Sequence, residues 1–277
     1  MRKYLPYFIF LFVLGFIAFT QEQAKGRAEI NVNLKGNTTF NGTSADVWTP
    51  NVSPNHIANR GLLGHWTFDG MNVNWGLGSV FDVSGNNQTG TITAMDRLNG
   101  AIPGIHGQAF RFNGANQFIS GPSSAGLRPA STSISAWVSP MAVTAAAGAI
   151  VSNRASNAVF GGYLLSYDNA NNDKLNILIT NNCTSWGTNF VSNNTLQIGK
   201  WYHVVVTYKS GEGLMYVDGV RQTLSSTMTG NICYGTDNLR IGGESNGTRF
   251  NGRIDDVRLY NYPLTPQEVQ LLYEAGR

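Results

Sequence analysis

The chain has 277 residues, with 19 lysines and arginines against 16 aspartates and glutamates, a formal net charge of +3 and 32 glycines. So small a charge, with no basic stripe to neutralise phosphates, argues against nucleic acid as a partner. The length allows one large all-β domain or two small ones.

Met1-Arg2-Lys3 followed by an apolar run from Tyr4 to Phe19 has the charged and apolar regions of a secretory signal. Ala18-Phe19-Thr20 is an imperfect cleavage site, and the run approaches the length of a membrane span. Residues 1–20 therefore read as a signal peptide or a retained signal-anchor, and export is expected in both cases. Any membrane contact would be confined to this segment.

Residues 21–60, rich in Asn, Thr, Gly and Pro, read as a linker with a short strand at 29–34. Asn-x-Ser/Thr matches fall at Asn37, Asn41, Asn51, Asn87, Asn182, Asn193 and Asn246, and in a chain this rich in Asn composition explains them.

From residue 61 onward, short strand patterns alternate with Gly/Asn/Ser clusters, the spacing of a sandwich. Strands are expected at 63–68, 89–94, 109–112, 117–120, 132–138, 149–152, 163–167 and 174–180, then at 201–209, 214–217, 220–224, 239–241 and 253–260. Leu175, Ile177 and Ile179 alternate onto one core face, while 201–208 is bulky on both parities, as a strand covered on both sides would be. Asp218-Gly219 between two strand patterns predicts a type I′ turn. Thr265-Pro266-Gln267-Glu268 predicts a capped C-terminal helix whose Val269, Leu272 and Tyr273 dock on the sandwich.

In the last strand, Asp255 shares parity with Val257 and Leu259, so it needs a hydrogen-bonding partner or a cation; Asp256 shares parity with Arg258 and reads as a solvated surface acid. Cys183 and Cys233 fit a disulfide in an exported protein, or else two separate small buried residues.

Seven segments, taken in order, carry a resemblance. They are Gly64-His65-Trp66-Thr67-Phe68-Asp69, Asp82-Val83-Ser84-Gly85-Asn86-Asn87-Gln88-Thr89-Gly90, Gly107-Gln108-Ala109-Phe110-Arg111-Phe112-Asn113-Gly114 and Ser133-Ile134-Ser135-Ala136-Trp137-Val138. Trp201-Tyr202-His203-Val204-Val205-Val206-Thr207-Tyr208, Tyr216-Val217-Asp218-Gly219 and Gly252-Arg253-Ile254-Asp255-Asp256-Val257-Arg258-Leu259-Tyr260-Asn261 complete the series. Over residues 61–277 the chain resembles the laminin-G-like jelly roll of the concanavalin A-like lectin/glucanase superfamily. That resemblance implies an all-β fold, a two-sheet antiparallel jelly-roll sandwich with a short C-terminal helix. It also implies a surface for sugar or protein and, in many members, a structural calcium ion.

A retaining glycosidase needs two carboxylates about 5–5.5 Å apart, and the Glu-x-Asp-x-x-Glu pattern of the glucanase branch is absent. Glu212, Glu268 and Glu274 lie in a turn or on the helix, which leaves Glu244 alone after a strand. No histidine has a metal-ligand spacing, and His65 and His203 read as structural strand residues. No catalysis is expected.

Asp82 to Asn87 offers the hard oxygen ligands that Ca²⁺ takes, with Asp82 and Asn87 as ligands, and the resemblance places Asp69 and Asp255 near them. Against calcium stands the reading in which Asp82 and Asn86 close Asx-turns and Asp255 accepts backbone N–H groups.

Trp66, Trp137 and Trp201 lie in strand patterns and read as core or interlayer packing, whereas Trp75, Trp186 and Tyr234 fall in loops. With Glu244 these last three form the expected ligand contacts, because an aromatic face with a polar rim suits a pyranose ring. The expectation is a secreted or cell-surface, non-catalytic module for extracellular carbohydrate or glycoprotein, stabilised by calcium. The alternative is a structural or self-associating surface module without sugar binding.

Overall fold

The computed structural model describes the backbone of residues 10–12, 15–21, 28–34 and 38–42, and backbone with side chains for 59–141, 148–154, 161–168, 173–183, 187–223 and 230–277. The chain divides into two compact units, Met1–Asn59 and Arg60–Arg277. In the first, β1 (Phe10–Phe12), β2 (Gly15–Gln21), β3 (Ala28–Leu34) and β4 (Thr38–Gly42) pair antiparallel in chain order. The strand expected at 29–34 is β3. Beside it β4 carries Asn and Gly, residues poor in β-propensity that hide its pattern.

The second unit runs β5 (Leu62–Trp66), β6 (Val73–Asn74), β7 (Ser79–Val80), β8 (Gly90–Thr93), α1 (Arg97–Gly100), β9 (Ala101–Pro103), β10 (Gln108–Asn113) and β11 (Phe118–Ser120). It continues with β12 (Thr132–Pro140), β13 (Gly148–Ser152), β14 (Tyr163–Asp168), β15 (Lys174–Ile179) and β16 (Thr188–Thr195). Then follow β17 (Tyr202–Lys209), β18 (Glu212–Val217), β19 (Val220–Arg221), β20 (Arg240–Ile241), β21 (Asn251–Tyr260) and α2 (Pro266–Glu274). An eight-stranded sheet has the order β19-β18-β17-β12-β21-β10-β9 with β5 also on β21, and a nine-stranded sheet the order β16-β15-β14-β13-β20-β11-β8-β7-β6.

Alternation decides what each sheet buries. Leu175, Ile177 and Ile179 on β15 join Phe110, Phe112 and Ile254 in one core between the sheets. The polar β16, missed in the sequence, is anchored there by Phe190, which is fully buried and pairs with Ile177. Between β18 and β19, Asp218 and Gly219 both take positive φ, as a type I′ turn demands.

The C-terminal helix has the predicted cap: Thr265 Oγ1 accepts the Glu268 N–H, and Glu268 accepts the Thr265 N–H in return. It covers the outer face of the eight-stranded sheet. There Tyr273 stacks on Trp137 at 5.9 Å and lies 6.1 Å from His203, which pairs with Trp137 across β12 and β17. Trp66 and Trp137 are buried as expected. Trp201 is not core: it precedes β17 half-buried, with the Arg253 guanidinium 5.7 Å over its ring.

Candidate functional site

Asp255 and Asp256 are placed by a bulge. Trp137 pairs with Asp255 and Ser135 with Arg258, so Asp256 and Val257 together oppose Ala136, with Asp256 at φ +49. The extra residue reverses the faces, and Ile254 and Val257 both enter the core. Asp255 therefore does not share a face with Val257. Its Oδ2 accepts the N–H groups of Ile105 and His106, in the turn between β9 and β10. Burial, its neighbour Asp256 adding to it against these N–H bonds, pushes its carboxyl up to about 7. Asp256 is not a solvated surface acid. It is 5% exposed, with His65 Nε2 at 2.6 Å and Arg258 Nη2 at 3.0 Å.

Asp69 holds the same turn from its other end, Oδ1 accepting the Gln108 N–H. Asp82 accepts from the His65, Ser84 and Gln88 amides and from the Ser84 hydroxyl. Asn87, exposed and at φ +57, only completes that loop.

These contacts do not fit a shared calcium ion. Two oxygens offer about four lone-pair sites, and at Asp82 protein donors occupy them. Asp69 and Asp255 are joined through backbone amides, and among the described residues no group of three His, Cys, Asp or Glu side chains could hold a metal. Asp82→Ala, which strands these donors, should cost about 3 kcal/mol in urea unfolding. The parent should give one midpoint in calcium and in chelator; a calcium-dependent midpoint would overturn this assignment.

Of the expected ligand contacts, Trp75, Tyr234 and Glu244 do not form an exposed surface. Trp75 packs against the core, 5.1 Å from the Phe110 ring. Tyr234 is edge-on to Tyr163, and its hydroxyl donates to the Pro129 carbonyl. Glu244 is 1% exposed and paired with Arg154 Nη1 at 2.6 Å. Burial pushes its carboxyl up, and Arg154 opposes the shift. Loop position misled because Trp75 and Tyr234 pack against the core and Glu244 is buried. Trp186 lies outside the described residues. Cys183 and Cys233 form the disulfide, with Cα atoms 5.6 Å apart.

A different arrangement presents an aromatic ring outward. On β11, Ile119 points into the core, so Phe118 and Ser120 lie on the outer face of the nine-stranded sheet, opposite Thr93 and Thr91 of β8. On the other side β20 sends Ile241 inward and Arg240, paired with Ser120, outward. The next turn, closed by the Glu244 N–H donating to the Thr248 carbonyl, returns Arg249 to bridge Gly243. A Cβ on Gly243 would lie 3.0 Å from both Phe118 Cβ and Arg249 Cδ, so a glycine here lets them approach. The Arg240 and Arg249 guanidiniums sit 5.1 and 4.6 Å from the centroid of the half-buried Phe118 ring.

The charges here are unbalanced. Glu244 is paired with Arg154, and among the described residues no carboxylate forms a salt bridge with Arg240 or Arg249. The Nε atoms of both arginines are buried and, among the described residues, have no hydrogen-bond partner. Burial pushes the Arg249 guanidinium down and Arg240 adds to the shift, against Glu244. One sign was legible in the sequence: Phe118 shares the polar parity of Ser120 and not the apolar parity of Ile119. The convergence of Arg240 and Arg249 depends on the intervening turn and was not.

Residues 113–270 match the laminin-G family of the concanavalin A-like lectin/glucanases superfamily. The chain belongs to this family. Solved structures similar to this laminin-G-like chain include domain 4 of AbnA, a GH43 extracellular arabinanase from Geobacillus stearothermophilus, in complex with arabinotriose. It is 22% identical over 76% of this chain and 98% of that one, with a TM-score of 0.58. The Trypanosoma rangeli sialidase in complex with the inhibitor DANA is 15% identical, over 93% of this chain and 43% of that one, at TM-score 0.57. The ligand-binding domain of botulinum neurotoxin serotype D, in complex with N-acetylneuraminic acid, is 14% identical, over 78% and 51%, at TM-score 0.59. The laminin-G-like chain thus spans about half or less of those two proteins, and at these identities the likeness is one of fold.

Proposed function

We propose that this chain is an exported, non-catalytic module that binds extracellular carbohydrate on the outer face of its nine-stranded sheet. The observation that carries this reading is the outward Phe118 ring, rimmed by Thr91, Thr93 and Ser120 and flanked by two arginines. A pyranose ring offers C–H groups to an aromatic side chain and hydroxyls to hydroxyl and guanidinium groups, and both kinds of partner are present here. The arabinotriose and N-acetylneuraminic acid complexes of proteins with this fold support a sugar ligand.

The absence of catalysis is supported by the acids themselves. Glu244, Asp255 and Asp256 are each 5% exposed or less and engaged by protein partners, so these three do not offer an accessible acid/base pair. Export is supported by the signal-like first 20 residues and by the disulfide. Calcium has no part in this reading.

The test is a glycan array probed with the parent and with Phe118→Ala. Losing the ring, which also holds the two guanidiniums in place, should weaken binding by about tenfold, an aromatic contact contributing about 1 kcal/mol beyond its buried area. Equal binding by the folded variant would remove this face from the proposal, and a parent that binds no glycan would remove the function.

A further inference from the structure

We infer that the Phe118 face selects sugars carrying an oxyanion, a carboxylate or sulfate on the ring, over neutral ones; this rests on the carbohydrate-binding reading above. Arg240 and Arg249 place two permanent positive charges over one aromatic ring, and the buried Glu244 is already engaged by Arg154. Two like charges left together without a counterion are costly in a partly desolvated setting, and an incoming anion removes that cost. A neutral sugar would leave it in place.

The chemistry fits in detail. A guanidinium donates through a planar fork whose geometry matches an oxyanion's, and among the described residues no carboxylate forms a salt bridge with either arginine. Arg249 Nη1 already donates to the Glu244 and Thr248 carbonyls, which fixes the guanidinium beside the ring. Among the described residues the Arg240 guanidinium contacts the Phe118 ring and forms no salt bridge, so its fork is the freer of the two. With an acidic sugar lying against this cluster, its acidic substituent would lie beside the two guanidiniums that cover Phe118, and Thr91, Thr93 and Ser120 would take the hydroxyls.

The experiment immobilises three polymers, polygalacturonate, dextran sulfate and neutral arabinan, and measures binding of the full chain. The expected result is binding to one or both acidic polymers that falls about tenfold or more between low salt and about 0.5 M salt. Arabinan should be held at least about tenfold more weakly. Arg240→Gln combined with Arg249→Gln should remove the preference for acidic polymers, whereas Arg221→Gln, an exposed arginine of the other sheet, should leave it intact. Carboxylate-only or sulfate-only binding each supports the inference and identifies the anion. Equal, salt-insensitive binding to arabinan overturns it while the carbohydrate reading stands. Equal loss in Arg221→Gln overturns it too, since the attraction would then be diffuse charge. Binding to none of the three, nor to any array glycan, overturns both. Thermal melting of each variant separates lost binding from lost fold.

Discussion

Asp256→Ala should unfold about 3–5 kcal/mol more readily than the parent in urea at neutral pH, the usual cost of removing one partner from a buried ion pair. Asp256 is 5% exposed, and His65, His106 and Arg258 all face it. Burial alone would push its carboxyl up; the hydrogen bond from His65 and the charges of Arg258, His65 and His106 overcome that and hold it at about 2. Its folded value lies below the ordinary 3.8, so its contribution is complete above pH 3.8 and is lost as pH falls toward 2. Alanine would leave the half-buried Arg258 guanidinium without its carboxylate and would also have to adopt φ +49, which alanine resists. Asp256→Asn separates the two causes, because asparagine tolerates positive φ and its remaining loss measures the charge. A cost below about 1 kcal/mol for alanine would return Asp256 to the solvated role that strand alternation gives it.

How much was legible follows from how local each signal is. The Thr265-Pro266-Gln267-Glu268 cap and the Asp218-Gly219 turn are each settled within four residues, and both are found where the sequence places them. The Leu175, Ile177 and Ile179 face needs only period-two alternation. Period two fails at Asp255 because a bulge inserts one residue, and nothing local announces it: it is fixed by pairing with β12, more than one hundred residues earlier. The family resemblance, not any local signal, put Asp69 and Asp255 near the Asp82 loop; the two instead meet at the turn between β9 and β10, through backbone amides that the sequence does not reveal. For the ligand surface, position in a loop was a poor guide to exposure. Trp75 and Tyr234 are loop aromatics that pack inward, while Phe118, within a strand, faces out because its neighbour Ile119 takes the core.

Two buried groups on the outer face of the eight-stranded sheet should show opposed pH dependences that only substitution separates. His203 is 2% exposed; its Nε2 lies 2.9 Å from Ser135 Oγ and its Nδ1 has no partner among the described residues. Burial carries it from 6.5 down to about 3, Arg258 and His106 assist, and Asp256 opposes. A base with a depressed folded value contributes stability that is complete above pH 6.5 and is lost as pH falls toward 3. Asp255, raised from 3.8 to about 7, behaves in reverse: its contribution is complete below 3.8 and is lost as pH rises toward 7. Between pH 3.8 and 6.5 folding thus releases a proton at one site and takes one up at the other, and the two slopes cancel. His203→Gln keeps a polar atom for Ser135 and removes the titration, so its stability should gain on acidification relative to the parent by about 1.4 kcal/mol per pH unit. Asp255→Asn still accepts the Ile105 and His106 N–H groups and should lose stability on acidification by a similar amount relative to the parent. Glu244 and Asp218, both raised by burial, act in the direction of Asp255 but remain in every variant, so differences from the parent cancel them. Urea midpoints across this window decide the matter, and variants whose stabilities run parallel to the parent would show that neither group titrates differently on folding.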